Sequence, residues 1–251
     1  MPELDLSFFA VAIPAVIFAG VSKGGFGSGA AFAAVAILAL LLEPGMAIGI
    51  MLPLLMLIDA ATLRSYWGKW DKDAARHLVL GAVPGVALGA ALYKVADADV
   101  FRVLIGGISV GFVAWQVLGR IGRIPVAEKP IPPAGGMFAG AVAGLTSFIS
   151  HAGGPPAAVY LLSLRPTKTQ YQATTVLTFW VINILKFVPY AWLGIFTVQT
   201  GLADLFLAPF ALLGAWLGVR AHYVVPERAF FTLTYVLLTL TGARLIWVGL
   251  T

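Results

Sequence analysis

From Met46 to Trp67 the chain runs through a stretch long enough to cross a bilayer, and only Asp59 and Arg64 are charged in it. Comparable apolar stretches recur from one end of the sequence to the other. A water-soluble domain must clothe its surface in polar side chains. Here 11% of the 251 residues are charged, against about 25% in an ordinary soluble domain, and 60% are hydrophobic. The apolar content excludes disorder, and the absence of cysteine excludes a disulfide scaffold. A net charge of +5 does not make a nucleic-acid binder, because the Lys and Arg residues sit singly between apolar runs and form no basic stripe. Glu3 and Asp5, rather than Lys or Arg, precede the first run, which is unlike the n-region of a signal peptide. The fold class expected is an all-α polytopic membrane protein.

The first run, Ser7–Val21, meets a glycine-dense break from Ser22 to Gly29. Ala30–Leu42 is a shorter run closed by Glu43-Pro44-Gly45. Met46–Trp67, His77–Tyr93 and Val100–Gly119 then span. Arg120 to Pro133 is polar and proline-rich, the mark of a linker. The pattern restarts with Ala134–Ile149, a break over Ser150–Pro156 and a short run Ala157–Leu164. The spans Gln170–Trp192, Leu202–Val219 and Arg228–Leu250 complete it.

The two halves are related by a shift of about 124 residues, which pairs Gly20 with Gly144, Asp59 with Asn183 and Tyr66 with Tyr190. One further residue of shift pairs Pro84 with Pro209 and Gly89 with Gly214. Five segments is an odd number, so the halves must face opposite ways across the membrane. The expected layout is two inverted repeats, residues 1–122 and 134–251, joined by a cytoplasmic linker at 123–133. Each repeat begins with a glycine-broken, short or re-entrant helix pair and continues with three spanning helices. With the N-terminus outside, the inner side receives Lys69, Lys72, Arg76, Arg120, Arg123, Lys129, Arg165, Lys168, Arg220 and Arg228. The outer connections receive only Lys94 and Arg102, as the positive-inside rule requires.

Ala30–Leu42, at about 1.5 Å per residue, reaches about 20 Å, short of the roughly 30 Å hydrocarbon core. Each run–break–run unit therefore reads as two short helices with the break at membrane depth, where irregular backbone is tolerated only inside protein or along a cavity. Glycines admit a ligand close to the backbone, and a helix start offers unsatisfied N–H groups and a positive dipole end. The breaks are thus candidate anion sites. Lys23, Gly24, Gly25 and Ser28 contribute from the first, and Ser150, His151, Gly153 and Gly154 from the second. Close helix packing is the bland alternative for Gly81, Gly85, Gly89, Gly106 and Gly107, and for the two breaks as well.

Ionisable groups within spans are costly and mark function. Lys186 lies in the outer half of its span, where it either binds a ligand or snorkels to the interface. Asn183 lies one turn before it on the same face. Asp59 pairs with Arg64 or takes part in proton coupling, a role open to His151 as well. His77 and His222 stand at helix ends and read as interfacial.

With these residues in place the chain resembles the TauE/SafE family of membrane permeases, also described as sulfite exporters. The resemblance rests on the duplicated layout, on Gly20–Gly29 (GVSKGGFGSG), on Gly144–Pro156 (GLTSFISHAGGPP), and on Asn183 with Lys186 (NILK). It implies a secondary transporter in a bacterial cytoplasmic membrane that moves a small anion such as sulfite, sulfoacetate or thiosulfate by alternating access. The implied partners are that anion and the lipid bilayer, with no nucleic acid, no metal and no cofactor; a homodimer is left open. Two alternatives stand beside it. One is an intramembrane enzyme on a lipid-linked anion, built on a Ser150–His151 dyad, and the other is a passive anion channel.

Overall fold

Four polar residues stand at helix starts and accept a first-turn amide: Asp5 from Phe8, Asp71 from Ala74, Asp97 from Val100 and Thr167 from Gln170. Such N-caps satisfy donors the helix itself cannot. The Phe8 amide holds the Asp5 carboxyl below the usual carboxylate range. A computed structural model describes residues 5–27, 30–123, 129–224 and 227–251. The ordered elements among these residues are helices, and no strand occurs. They are α1 Leu6–Gly25, α2 Ala33–Leu38, α3 Pro44–Leu63, α4 Lys72–Val95, α5 Ala98–Arg120, α6 Pro133–Ser150, α7 Gly154–Ser163, α8 Lys168–Trp192, α9 Val198–Val224 and α10 Glu227–Leu250. A 3-10 turn, Arg64–Tyr66, extends α3.

Eight of these helices are long and apolar enough to cross a membrane; α2 and α7 are the exceptions. This corrects one expectation. The first helix of each unit is not a short half-helix, since α1 has 20 residues and α6 has 18. The short pieces are α2, with 6 residues, and α7, with 10. The α-helix of the Ala30–Leu42 run is confined to Ala33–Leu38, with turns on either side.

α3 and α8 are the most enclosed of the long helices, while α5 and α10 are the most exposed. α1 packs on α9, α4 on α6, α5 on α10, and α3 on α8 and α9. Glycine makes the two tightest pairings possible. A Cβ at Gly20 would lie 2.7 Å from the Ala215 backbone, and one at Gly144 2.9 Å from the Cα of Ala82. No membrane-protein interface gains hydrophobic driving force from lipid, so such backbone approach supplies the contact instead. Gly81, Gly85 and Gly89 face α6, and Gly106 faces Gly242 of α10, so helix packing accounts for these four. Packing does not account for Gly107, since nothing lies within 4 Å of a Cβ built there.

The outer surface is apolar. Leu88, Phe138, Val188, Leu205, Phe206 and Leu240 are all exposed, as lipid-facing side chains must be. Two grooves cut into it. One, of about 430 Å³, lies between α4 and α8 and is lined by Ala90, Lys94, Leu185 and Pro189. The other, of about 340 Å³, lies between α3 and α9 and is lined by Ala61, Ser65, Ala215 and Val219. Trp67, Trp192 and Trp247 are exposed near helix ends, the ordinary place of an aromatic belt.

Candidate functional site

The polar residues singled out within the spans converge at the centre of the bundle. Lys23, in the last turn of α1, reaches Asp59 of α3 with a Nζ–Oδ2 distance of 2.7 Å. Asn183 of α8 donates to the same Oδ2 at 2.8 Å. Lys23 is 4% exposed and Asp59 is 0%, so this is a fully desolvated ion pair. Asp59 does not pair with Arg64, which is exposed. Arg64 lies five residues on, in the 3-10 turn that follows α3, whereas the close approach of α1 brings Lys23 within reach. The other carboxylate oxygen, Asp59 Oδ1, is buried without a hydrogen-bond partner among the described residues.

A second cluster lies one turn along α8. Lys186 is 0% exposed, which overturns snorkelling. Its Nζ contacts the Ser147 carbonyl at 3.1 Å, the Ser147 hydroxyl at 2.9 Å and His151 Nδ1 at 2.7 Å. His151 Nε2 lies 3.1 Å from the Ile48 carbonyl. That carbonyl only accepts, so Nε2 carries a hydrogen and, in the neutral ring, Nδ1 is the acceptor facing Lys186. His151 has φ of 55° and closes α6 in the left-handed conformation. That backbone costs about 1 kcal/mol or more for a non-glycine residue, and it lets one ring bridge α8 and α3.

The two clusters carry one hydrogen-bond pattern twice. Tyr66 donates to the Gly24 carbonyl at 2.7 Å, and Tyr190 to the Phe148 carbonyl at 2.6 Å, each across a sequence separation of 42. Tyr190 stands 124 residues after Tyr66, and so does Phe148 after Gly24. Asp59 and Asn183, which touch each other, carry the same separation of 124.

The glycines divide. Gly24 and Gly25 close α1, where their amides continue the helix ladder, and α9 lies directly against them: a Cβ at Gly24 would stand 2.7 Å from the Ala215 carbonyl. An amide cradle over 24–29 does not form at these two residues. Ser28, expected in the same cradle, lies outside the described residues. Gly153 and Gly154 are buried at the start of α7, followed by Pro155 and Pro156, which have no amide hydrogen to satisfy. Ser150 bonds back to the Thr146 carbonyl at 3.3 Å rather than to His151, so no Ser150–His151 dyad is assembled. Ser147 is one of the hydroxyls, with Ser22, Ser28, Thr146 and Ser150, that the sequence offers as neutral donors at the breaks, and it is the one that meets Lys186. What the sequence did not state is that partnership.

At one end of the bundle His222 is buried, with its Nδ1 2.7 Å from the Gly25 carbonyl. Lys168 donates to the His222 carbonyl at 2.7 Å, and the Asp71 amide donates to Thr174 at 2.9 Å. At the opposite end Lys94 stands 3.9 Å over the Trp192 ring.

Long apolar helices around a buried ionic centre define a multi-pass membrane protein with a polar site at its core. The family model described as "Sulfite exporter TauE/SafE" matches residues 12–245, and the chain belongs to that family. The family is one of membrane anion transporters. Searches of curated proteins and of solved structures return no match.

Proposed function

We propose that the chain is a secondary transporter that moves a small oxyanion or organosulfur anion, such as sulfite, sulfoacetate or thiosulfate, across a bacterial cytoplasmic membrane. The observation that carries this is Lys186, a fully buried lysine whose three contacts are to neutral groups. A buried cation without a counter-charge is expensive, and a site that receives an anion has reason to retain one. Lys186, His151, Ser150, Gly153 and Gly154 form its proposed wall on the α6–α7 side, and Lys23 and Asn183 face it from the first cluster.

Alternating access between two inverted repeats, 1–122 and 134–251, is the proposed mechanism, with rocking about the helices that meet at the site. Support comes from the duplicated Tyr66 and Tyr190 bonds and from the exchange in which α1 packs on α9 while α6 packs on α4. The two lateral grooves also occupy equivalent places, since Ala61 and Leu185 differ by 124 and Ala90 and Ala215 by 125. The contacts of Asp71 and Lys168 gather the basic connections at the end assigned to the cytoplasm.

Flux into proteoliposomes of sulfite, thiosulfate, sulfoacetate and sulfate tests the proposal, with Lys23→Ala, His151→Ala and Lys186→Ala beside the wild type. Saturable flux of at least one anion, lost in Lys186→Ala, is expected. Unchanged flux in all three variants refutes the site, and failure of an ion gradient to drive uphill movement leaves a passive channel. Cysteine labelling at Lys69 (inside) and Thr197 (outside) tests the orientation.

A further inference from the structure

The two buried lysines differ in one respect. Lys23 has a carboxylate at 2.7 Å and forms a neutral pair with it. Lys186 has none in ion-pair reach among the described residues, and its partners are a carbonyl, a hydroxyl and an imidazole nitrogen. These partners fit the nitrogen in either protonation state. The Ser147 carbonyl and His151 Nδ1 accept a hydrogen from an ammonium or from an amine. The Ser147 hydroxyl accepts from an ammonium, and it donates to the lone pair of an amine. The Lys186 nitrogen therefore keeps all three partners on the gain or loss of one hydrogen.

Charge accounting decides when that hydrogen comes and goes. In the empty site an ammonium at Lys186 is a buried charge with no counter-ion, which costs several kcal/mol. An anion beside it cancels that charge. We propose that Lys186 takes up one proton as the anion binds and gives it back as the anion leaves, so that proton and anion cross together. The step balances as amine plus proton plus anion going to an ammonium–anion pair. The inference rests on the transporter function proposed above and names its coupling ion.

The ionisable groups facing Lys186 are few. α1 contributes Lys23, α3 contributes Asp59, and His151 follows α6. Tyr190 of α8 itself has its ring 6.0 Å from Nζ. On α4, Lys94 is engaged over Trp192, and on α7, Tyr160 bonds His77 at 2.9 Å. Lys23 and Asp59 remain a closed pair, which leaves Lys186 as the group whose charge the anion completes.

The test is calorimetry of thiosulfate or sulfoacetate binding to the purified full chain near neutral pH, in buffers of different ionisation heat. Neither anion takes up a proton itself in that range. Uptake of about one proton per anion is expected, with affinity falling about tenfold per pH unit while the free site is deprotonated. Lys186→Arg carries a guanidinium that stays charged, and it should bind with no proton uptake and no such pH slope. Binding to wild type without proton uptake overturns the proposal and leaves anion transport standing. Proton uptake that survives in Lys186→Arg and disappears in Asp59→Asn overturns it too, by moving the proton to Asp59. Nitrogen NMR of the lysine ζ-amines decides independently of any variant, since a Lys186 ammonium in the anion-free protein overturns the proposal. If neither anion binds wild type, the anion site itself is refuted, and the coupling with it.

Discussion

Asp59→Asn isolates the ionic centre in one nearly isosteric change. The asparagine still offers Asn183 an oxygen in place of Oδ2, so the 2.8 Å hydrogen bond survives with the amide suitably turned. What disappears is the counter-charge of Lys23, whose side chain is 4% exposed. Removing one partner of a buried ion pair costs about 3–5 kcal/mol. The folded-to-unfolded ratio should fall roughly a hundredfold to several thousandfold. Removing both charges is different: Lys23→Met with Asp59→Asn leaves an uncharged contact, whose remaining cost is that of an unpaired amide N–H, and should recover to within about 1–3 kcal/mol of wild type. Reversible unfolding in mixed micelles, followed by tryptophan fluorescence, gives the four corners of the cycle. Arg64→Ala serves as a control expected to change nothing, because Arg64 is exposed and outside the pair. If Asp59→Asn lies within about 1 kcal/mol of wild type, or the double variant is as unstable as the single, the pair does not carry the centre.

Tyr66→Phe and Tyr190→Phe each strand a buried carbonyl, Gly24 or Phe148, and each should cost about 1–3 kcal/mol by the same unfolding assay. Near-equal losses are expected, because both bonds join a buried tyrosine hydroxyl to a helix carbonyl across the same sequence separation of 42. Gly106→Ala and Gly107→Ala are neighbours with opposite outcomes. At Gly106 the new methyl meets the Gly242 carbonyl at 2.5 Å and destabilises, whereas at Gly107 it enters open space and gains up to about 1 kcal/mol of helix propensity. Gly24→Leu should abolish folded protein in gel filtration, since the Ala215 backbone occupies the space.

Much of the site was legible from residue type alone. Lys23, Asp59, Asn183 and Lys186 announce themselves because charge and amide groups are costly inside an apolar span. His151 stands in a glycine- and proline-rich break, which a continuous helix would not contain. Their pairing was not legible. Asp59 has Arg64 five residues away and Lys23 thirty-six away, and proximity in sequence favours the wrong partner. Gly24 and Gly25 mislead in the same manner. A glycine that admits a ligand and one that admits a neighbouring helix look identical until α9 is placed against them.

The sequence by itself determined the apolar spans and the set of polar residues that lipid cannot accept. These follow from transfer free energies and from spacing, which act on each segment wherever it sits in the bundle. Tertiary structure decided which charge meets which. The ion pair of Lys23 with Asp59, the seat of Lys186 between Ser147 and His151, and the closure of α1 against α9 all require helices from distant parts of the chain to pack face to face. Helix crossings are fixed by small residues and shape along whole surfaces, and no local stretch of sequence states them.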